Sequence, residues 1–116
     1  MRRGDIYIAN LNPVQGSEAD KQRPVVIVSN DASNQAVEKY GVGMLTVVPL
    51  TTNVTAIYPF QVFLSAELTT LDKDSKVQPE QIRAISTNRI RGPIITSLPG
   101  SVMSAINQAL KQHLAL

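Results

Sequence analysis

The side chains best suited to chemistry in this 116-residue chain are an arginine and two threonines at the ends of apolar segments. Arg23 precedes Pro24, and a residue in that position is restricted to extended backbone. The direction of its guanidinium is therefore already restricted before a ligand binds. Thr51 and Thr52 follow the apolar run that ends at Leu50, where side chains reach the rim of a sheet. These three residues are the first candidates for a functional site.

Each candidate also has a simpler structural interpretation. Arg23 could form a surface ion pair with Glu18 or Asp20. The Thr51 hydroxyl could satisfy a backbone group in its own turn, as threonine hydroxyls often do. Both interpretations stay open at this point.

Several other kinds of site are excluded by what the sequence lacks. It has no cysteine, and therefore no disulfide, no cysteine-ligated metal and no thiol nucleophile. It has no glycine-rich phosphate loop, no pair of histidines and no carboxylate cluster at metal-ligand spacing, so we expect neither a metal nor another cofactor. The single histidine, His113, lies seven residues after Ile106 and is expected on the core-facing side of a helix.

The basic residues are concentrated in the last third of the chain. The formal net charge is only +2, but residues 75–116 hold five basic side chains and one acidic side chain. A local positive face that meets phosphate could form there from Lys76, Arg83, Arg89 and Arg91. The alternative is an ordinary solvated strand face.

A series of short strands must position these residues. Alternating or continuous apolar segments predict strands over 5–10, 23–30, 44–50, 60–64, 76–78, 81–85 and 94–96. The run after Pro24 is apolar throughout, which predicts a strand covered on both faces. The connection 11–22 is about twice the length of a usual hairpin loop, and long loops are often functional.

Two helices are predicted, one within the strands and one after them. The first covers 31–39, capped by Asn30 or Asp31 and ended near Gly41, whereas 65–75 is predicted to be a loop. From Ser101 the apolar spacing becomes three or four residues, which predicts an amphipathic helix that buries Val102, Met103, Ile106, Leu110 and Leu114. The pattern is typical of an all-β or α+β small antiparallel barrel rather than a β-α-β fold, and we predict the mainly β class with helices (α+β).

Length and hydropathy limit the setting in which the protein works. Residues 1–116 are expected to form a single domain, because a chain of this size buries enough surface for one core. No segment approaches the roughly 20 apolar residues of a membrane span, and the N-terminus does not read as a signal peptide. We therefore expect a cytoplasmic protein that does not contact a membrane.

Six segments of the sequence together resemble the MazF/PemK family of toxins. Their order and spacing fit the family along essentially the whole chain, and they are Arg3-Gly4-Asp5-Ile6, Leu11-Asn12-Pro13-Val14, Gly16-Ser17-Glu18, Arg23-Pro24-Val25-Val26-Ile27-Val28-Ser29-Asn30, Val48-Pro49-Leu50-Thr51-Thr52 and Gln81-Ile82-Arg83. One departure is Pro99-Gly100, where relatives usually carry polar residues that cap the terminal helix. Because of this departure, the motif does not predict at which residue the terminal helix begins.

The resemblance implies a fold, an activity and partners. The fold is a homodimeric, partly open SH3-like barrel with a C-terminal helix. The activity is that of a type II toxin, a metal-independent, sequence-specific endoribonuclease that cuts single-stranded RNA such as mRNA. The partner is a cognate MazE-like antitoxin whose C-terminal tail occupies the RNA groove.

The resemblance also assigns roles to individual residues. By their positions in the motifs, Arg23 and Thr51 are the expected catalytic residues. The expected substrate-binding residues are Ser17, Glu18, Asn30, Thr52, Gln81 and Arg83. With only five aromatic residues in the chain, we do not expect a base-stacking platform.

Cleavage without a metal requires the ribose 2′-OH to attack the adjacent phosphorus, which leaves a cyclic phosphate and a free 5′-OH. Arg23 would stabilise the charge on the phosphoryl oxygens and Thr51 would hydrogen-bond the phosphate. The general base stays open between Arg23, Thr51 and another group, because a guanidinium is a poor base at neutral pH.

Two other functions fit the same barrel. One is a DNA gyrase poison resembling CcdB, without nuclease activity, and the other is an inactive toxin that only binds antitoxin. Arg23-Pro24 together with Thr51 favours the RNA-cutting function.

Overall fold

In a computed structural model, which describes residues 1–12 and 22–116, seven strands form an antiparallel sheet. The strands are β1 (Asp5–Asn10), β2 (Gln22–Ile27), β3 (Met44–Thr51), β4 (Val62–Leu64), β5 (Ser75–Val77), β6 (Arg83–Ser86) and β7 (Ile90–Ser97). The helices are α1 (Asp31–Tyr40), α2 (Ala66–Thr69) and α3 (Gly100–Leu114), with short 3₁₀ turns at Pro79–Gln81 and Thr87–Arg89. The predicted α+β class is confirmed.

The sheet is bent around β3 and does not close. Its order is β4-β5-β3-β2-β1-β7, and β6 pairs separately with β3. The first half of β3 pairs with β6, from Met44 opposite Ser86, whereas its last residues pair with β5, where Thr51 lies opposite Lys76. Because one strand serves two partners in succession, the sheet curls into the partly open barrel that the sequence resemblance implied.

The central strands are buried on both faces, as the continuous apolar run predicted. On β2, Val26 packs with Ile6 and Val48 in a cluster that is covered by Met103, Ile106 and Leu110 of α3. Its neighbours along the chain, Val25 and Ile27, join a second cluster inside the curl with Ala9, Leu11, Leu45, Val47 and Ile85. Because successive side chains of β2 point to opposite faces of the sheet, this one strand contributes to both cores.

Helix α1 begins and ends where the sequence predicted. The Asn30 side chain accepts the Ser33 backbone N–H at 2.8 Å, and Gly41 ends the helix in the left-handed region with φ of 71°. At the first turn, the Arg3 backbone N–H donates to the Asp31 carboxylate at 2.7 Å and lowers the pKa of Asp31. The same contact ties the N-terminal residues to α1.

Other element boundaries differ from those predicted. The predicted loop 65–75 contains the one-turn helix α2, capped by the Ser65 hydroxyl, which accepts the Leu68 N–H. The last strand, β7, starts at Ile90 rather than at 94 because it pairs with β1 over most of that strand's length. Helix α3 starts at Gly100 without a side-chain cap, and the backbone N–H groups of Val102 and Met103 bond the Pro99 carbonyl.

The prediction that His113 faces the core is wrong. The buried face of α3 ends at Leu110, and residues 111–116 are all exposed. The helical spacing was correct, but the last turn of α3 borders open grooves and is not covered. Among the described helices, none is both long enough and apolar enough to span a bilayer.

Candidate active site

The structure brings the two predicted catalytic residues together at one end of the sheet. In the β2–β3 pairing, Val25 lies opposite Pro49, and the same register continued by two residues sets Arg23 beside Thr51. Both residues also line a cleft of about 260 Å³, together with Gln22, Pro24, Leu50, Thr52, Leu71 and Ser75. Strand pairing alone therefore places a guanidinium and a hydroxyl next to each other.

The neighbouring strands extend this arrangement into a cross-strand row. Ala9 of β1 pairs with Arg23, Thr51 pairs with Lys76 of β5, and Lys76 pairs with Phe63 of β4. Residues directly opposite one another in antiparallel strands share one face of the sheet. Arg23, Thr51 and Lys76 are therefore consecutive on that face.

The Thr51 hydroxyl takes part in its own turn and keeps a proton that it can donate. Its hydroxyl oxygen accepts the Asn53 backbone N–H at 3.2 Å, so the prediction of a turn hydroxyl is confirmed. A hydroxyl has one proton to donate and two lone pairs, and the hydrogen bond from Asn53 uses only one lone pair. The proton can still be donated to a phosphate oxygen.

A segment without helix or strand, residues 52–60, follows Thr51 and lies beside the row. The Lys76 ammonium donates to the Ala56 carbonyl at 2.6 Å and lies 5.4 Å from the centre of the Tyr58 ring. The Tyr58 and Phe60 rings stack, with centres 5.5 Å apart. The chain therefore has a small aromatic surface here, although the number of aromatic residues gave no reason to expect one.

Most of the four basic residues considered for a positive face are not freely exposed. Lys76 is buried, and the Arg83 guanidinium donates to the Leu11 carbonyl at 3.2 Å. Arg89 donates to the carbonyls of Asn10 and Asn12, and only Arg91 of the four is an exposed side chain. Arg83 and Arg89 therefore bind backbone carbonyls at and just after the end of β1, whereas Lys76 binds the Ala56 carbonyl.

The remaining predicted substrate-binding residues lie in different places. Asn30 caps α1 beyond the opposite end of β2 from Arg23, and Gln81 lies in a 3₁₀ turn whose segment packs near α3. Thr52 lines the cleft, whereas Ser17 and Glu18 lie outside the described residues, as do Asp20 and the greater part of the long connection. Their binding roles stay predictions.

Three residues of the site were not found from the sequence. Leu71 follows α2, in a segment predicted to be loop, and reaches the cleft because α2 turns the chain back. The Ser75 hydroxyl is buried at the cleft and has no hydrogen-bond partner among the described residues. Lys76 was identified only as a basic residue. Thr51 is 25 positions away in the sequence, and the proximity of the two residues comes only from the pairing of β3 with β5.

The residues of the site fit oxyanion binding rather than metal binding. In the part of the chain that the structure describes, no group of three His, Cys, Asp or Glu side chains could hold a metal ion. The side chains at the cleft are instead a guanidinium, hydroxyls and an amide. Such groups donate hydrogen bonds to phosphate oxygens.

Comparison with known proteins gives consistent relatives. Residues 2–114 match the profile of the PemK-like, MazF-like toxins of type II toxin–antitoxin systems. Over its full length the chain is 48% identical to Endoribonuclease MazF9 of Mycobacterium tuberculosis, covering 98% of that protein. It is 40% identical to Endoribonuclease MazF of Staphylococcus saprophyticus, again over its full length and 92% of the relative.

Solved structures agree on the fold. A crystal structure of MazF from Deinococcus radiodurans aligns with a TM-score of 0.82 at 23% identity, over 100% of this chain and 97% of the other. A MazE–MazF complex from the same organism aligns with a TM-score of 0.74 at 21% identity, over 100% and 96%. A mycobacterial endoribonuclease solved with its cognate antitoxin gives 0.77 at 23% identity, over 100% and 96%.

Proposed function

Since this chain belongs to the PemK-like, MazF-like family of type II toxins, we propose that it is an endoribonuclease that cuts single-stranded RNA in the cytoplasm. The observation that carries the proposal is that Arg23 and Thr51 line one cleft in a chain with this family membership. A guanidinium and a hydroxyl side by side can bind two oxygens of one phosphate. The full-length relatives named endoribonucleases support the same activity.

The reaction that suits this site needs no metal ion. The 2′-oxygen of the ribose forms a bond to phosphorus and loses its proton to a base, while the bond from phosphorus to the 5′-oxygen breaks and that oxygen gains a proton. The products are a 2′,3′-cyclic phosphate and a 5′-OH end. DNA lacks the attacking hydroxyl and is not a substrate.

Arg23 contributes most in the transition state, where negative charge accumulates on the phosphoryl oxygens. A fixed bidentate cation stabilises that state more than it stabilises the ground state, so it lowers the barrier. Thr51 donates its hydroxyl proton to the same phosphate. Thr52, another predicted substrate-binding residue, also lines the cleft.

Regulation follows from the family. We propose that a MazE-like antitoxin inhibits the toxin by placing its C-terminal tail over the RNA groove, and that the toxin acts as a homodimer. The solved complexes of MazF with MazE from D. radiodurans support this assembly. A CcdB-like gyrase poison is not favoured, because the relatives found are MazF endoribonucleases.

The deciding experiment compares cleavage of one transcript with and without a chelator. Purified protein is incubated with a long single-stranded mRNA, and with single-stranded DNA of the same sequence, in excess EDTA or in Mg²⁺. We expect discrete RNA fragments with 5′-OH ends in both buffers and intact DNA in both. A metal-dependent nuclease would stop in EDTA and recover with Mg²⁺.

Two results would contradict the proposal. Loss of cleavage in EDTA that Mg²⁺ restores would exclude the metal-independent site. Intact RNA under every condition, together with inhibition of DNA gyrase by the same preparation, would favour the CcdB-like alternative.

A further inference from the structure

Lys76 is a charged side chain that the proposed chemistry does not use. It lies on β5, it is 6% exposed, and its backbone pairs with Thr51. Lysine is almost never buried unless its ammonium is paired. Lys73, three residues earlier, is fully solvent-facing, so the burial belongs to this position rather than to this part of the chain.

The ammonium of Lys76 binds the middle of segment 52–60. It donates to the Ala56 carbonyl at 2.6 Å and lies 5.4 Å from the centre of the Tyr58 ring, a distance at which a cation is attracted to an aromatic face. Since Lys76 shares the sheet face of Thr51, these contacts set the segment over that face, directly beside Thr51.

Other side chains fix the two ends of the same segment. At its start, Thr51 accepts the Asn53 N–H. At its end, the Gln61 side chain accepts the Tyr58 N–H at 3.1 Å and donates to Glu80 at 2.6 Å. Between these two anchors the segment has no helix or strand, so the Lys76 ammonium supplies the contact that holds its middle.

We infer that Lys76 is a positioning residue of the active site, which holds segment 52–60 against β5 and so keeps Thr51 and Thr52 in place beside Arg23. The inference deepens the proposed function and rests on it. The ammonium donates one of its hydrogen bonds to the Ala56 carbonyl, and the side chain is buried, so a phosphate in the cleft has little access to it. Lys76 therefore acts through the chain and does not contact the phosphate.

This role predicts an effect on rate rather than on RNA affinity. Reacting groups must be held in near-attack geometry, and a displacement of about 1 Å costs on the order of 10²-fold in rate. A lysine that touched phosphate would instead contribute to the salt dependence of binding, by about 0.7 in the slope of log affinity against log salt for a single strand.

The test compares Lys76→Met with Lys73→Met, which removes the same charge from an exposed position three residues away. We measure single-turnover cleavage of the transcript, the salt dependence of RNA binding, and hydrogen exchange of the backbone amides of residues 53–61 without RNA. For Lys76→Met we expect a rate loss of about 10²-fold, an unchanged salt slope and faster exchange across the segment. For Lys73→Met we expect wild-type behaviour in all three.

Lys76→Arg and Lys76→Gln complete the series. Arginine keeps a charged donor that reaches the carbonyl, so we expect it to retain most of the rate. Glutamine is too short to reach Ala56 and, if Lys76→Met does not fold, takes its place with the same expected losses.

Three results would overturn the inference. The first is cleavage by the Met or Gln variant at the rate of Lys73→Met, and the second is a salt slope reduced by one phosphate contact. The third is unchanged exchange in residues 53–61. If wild-type protein cleaves no RNA, the proposed function fails. The hydrogen-exchange measurement still tests whether Lys76 holds segment 52–60 in place.

Discussion

Arg23 combines a restricted backbone with a long side chain, which suits a phosphate-binding group at the start of a strand. Pro24 holds its backbone extended, and pairing with Ala9 and with the strand of Thr51 fixes its position. Its half-buried side chain lies at the end of the sheet rather than in either core. Its substitution should therefore affect chemistry much more than folding.

We expect Arg23→Ala to lose at least about 10²–10³-fold in cleavage rate, the typical cost of removing one group that stabilises transition-state charge. Stability should change by no more than about 1 kcal/mol, as is usual for a residue outside the core. Single-turnover cleavage and thermal melting measure the two effects. Arg91→Ala, which removes an exposed arginine from β7, is the matched control and should cleave normally.

Arg23→Lys separates geometry from charge. Lysine keeps the positive charge but loses the planar fork, so a bidentate role predicts a large loss for lysine as well as for alanine. Rescue by lysine would show that charge alone is enough. Near wild-type cleavage by Arg23→Ala would contradict the catalytic assignment, and Arg83 would become the next candidate.

The sequence indicated those site residues whose position follows from their local motif, and missed those that depend on long-range pairing. Arg23 and Thr51 could be identified because each stands at the end of an apolar run inside a recognisable motif. Lys76 and Ser75 could not, because they reach the site through the pairing of β5 with β3. A charge count placed Lys76 and Arg83 in solvent, whereas both bind backbone carbonyls.

At the scale of elements, α1 shows why a correct helix prediction still missed the basis of its packing. The capping residues predicted where the helix begins and ends. The fully buried residue of the helix is polar, however, because Asn34 is 0% exposed. Its amide donates to the Ser29 carbonyl at 2.8 Å and accepts the Ser29 hydroxyl at 2.5 Å, and that hydroxyl accepts the Thr46 N–H. The helix is therefore docked by hydrogen bonds, which hydropathy does not indicate.

We expect Asn34→Ala to destabilise the fold by about 1–3 kcal/mol, because it leaves buried groups of Ser29 without partners. Urea denaturation measures the change. Gln35→Ala, one position along on the exposed side of α1, is the control and should change the free energy of unfolding by less than about 0.5 kcal/mol. Equal effects of the two substitutions would contradict a docking role for Asn34.

Most strand predictions were confirmed because apolar periodicity reports burial directly, and β1, β2 and β3 each carry several buried apolar residues. The predictions were less accurate where partners set the boundary. Strand β7 is longer than predicted because it pairs with β1. Helix α2 lies where a loop was expected because Ser65 caps a single helical turn. His113 was misplaced for the same reason, since helical spacing does not show where the burial of a helix ends.

At the scale of the whole molecule, the end of α3 is apolar and uncovered. Leu114 is 46% exposed and Leu116 is 86% exposed. Two grooves of about 700 Å³ and 570 Å³ flank this end, and Leu116 lines both of them. Small proteins rarely leave contiguous apolar surface open, and such patches mark interfaces.

We expect the protein to sediment as a homodimer, about twice 12.6 kDa, at micromolar concentration. The apolar end of α3 continues into a groove lined by Val28, Ile82 and Leu110 together with polar side chains, so a second copy of the chain placed there would cover it. Leu114→Glu should then weaken the dimer, because it replaces an apolar side chain with a carboxylate that must lose water when the groove is covered. Val42→Glu, at an exposed corner between α1 and β3, is the control and should leave the mass unchanged. A wild-type monomer in sedimentation equilibrium would exclude an active site that needs both subunits. Dissociation of the dimer by Val42→Glu but not by Leu114→Glu would show that the interface lies at the corner between α1 and β3 instead.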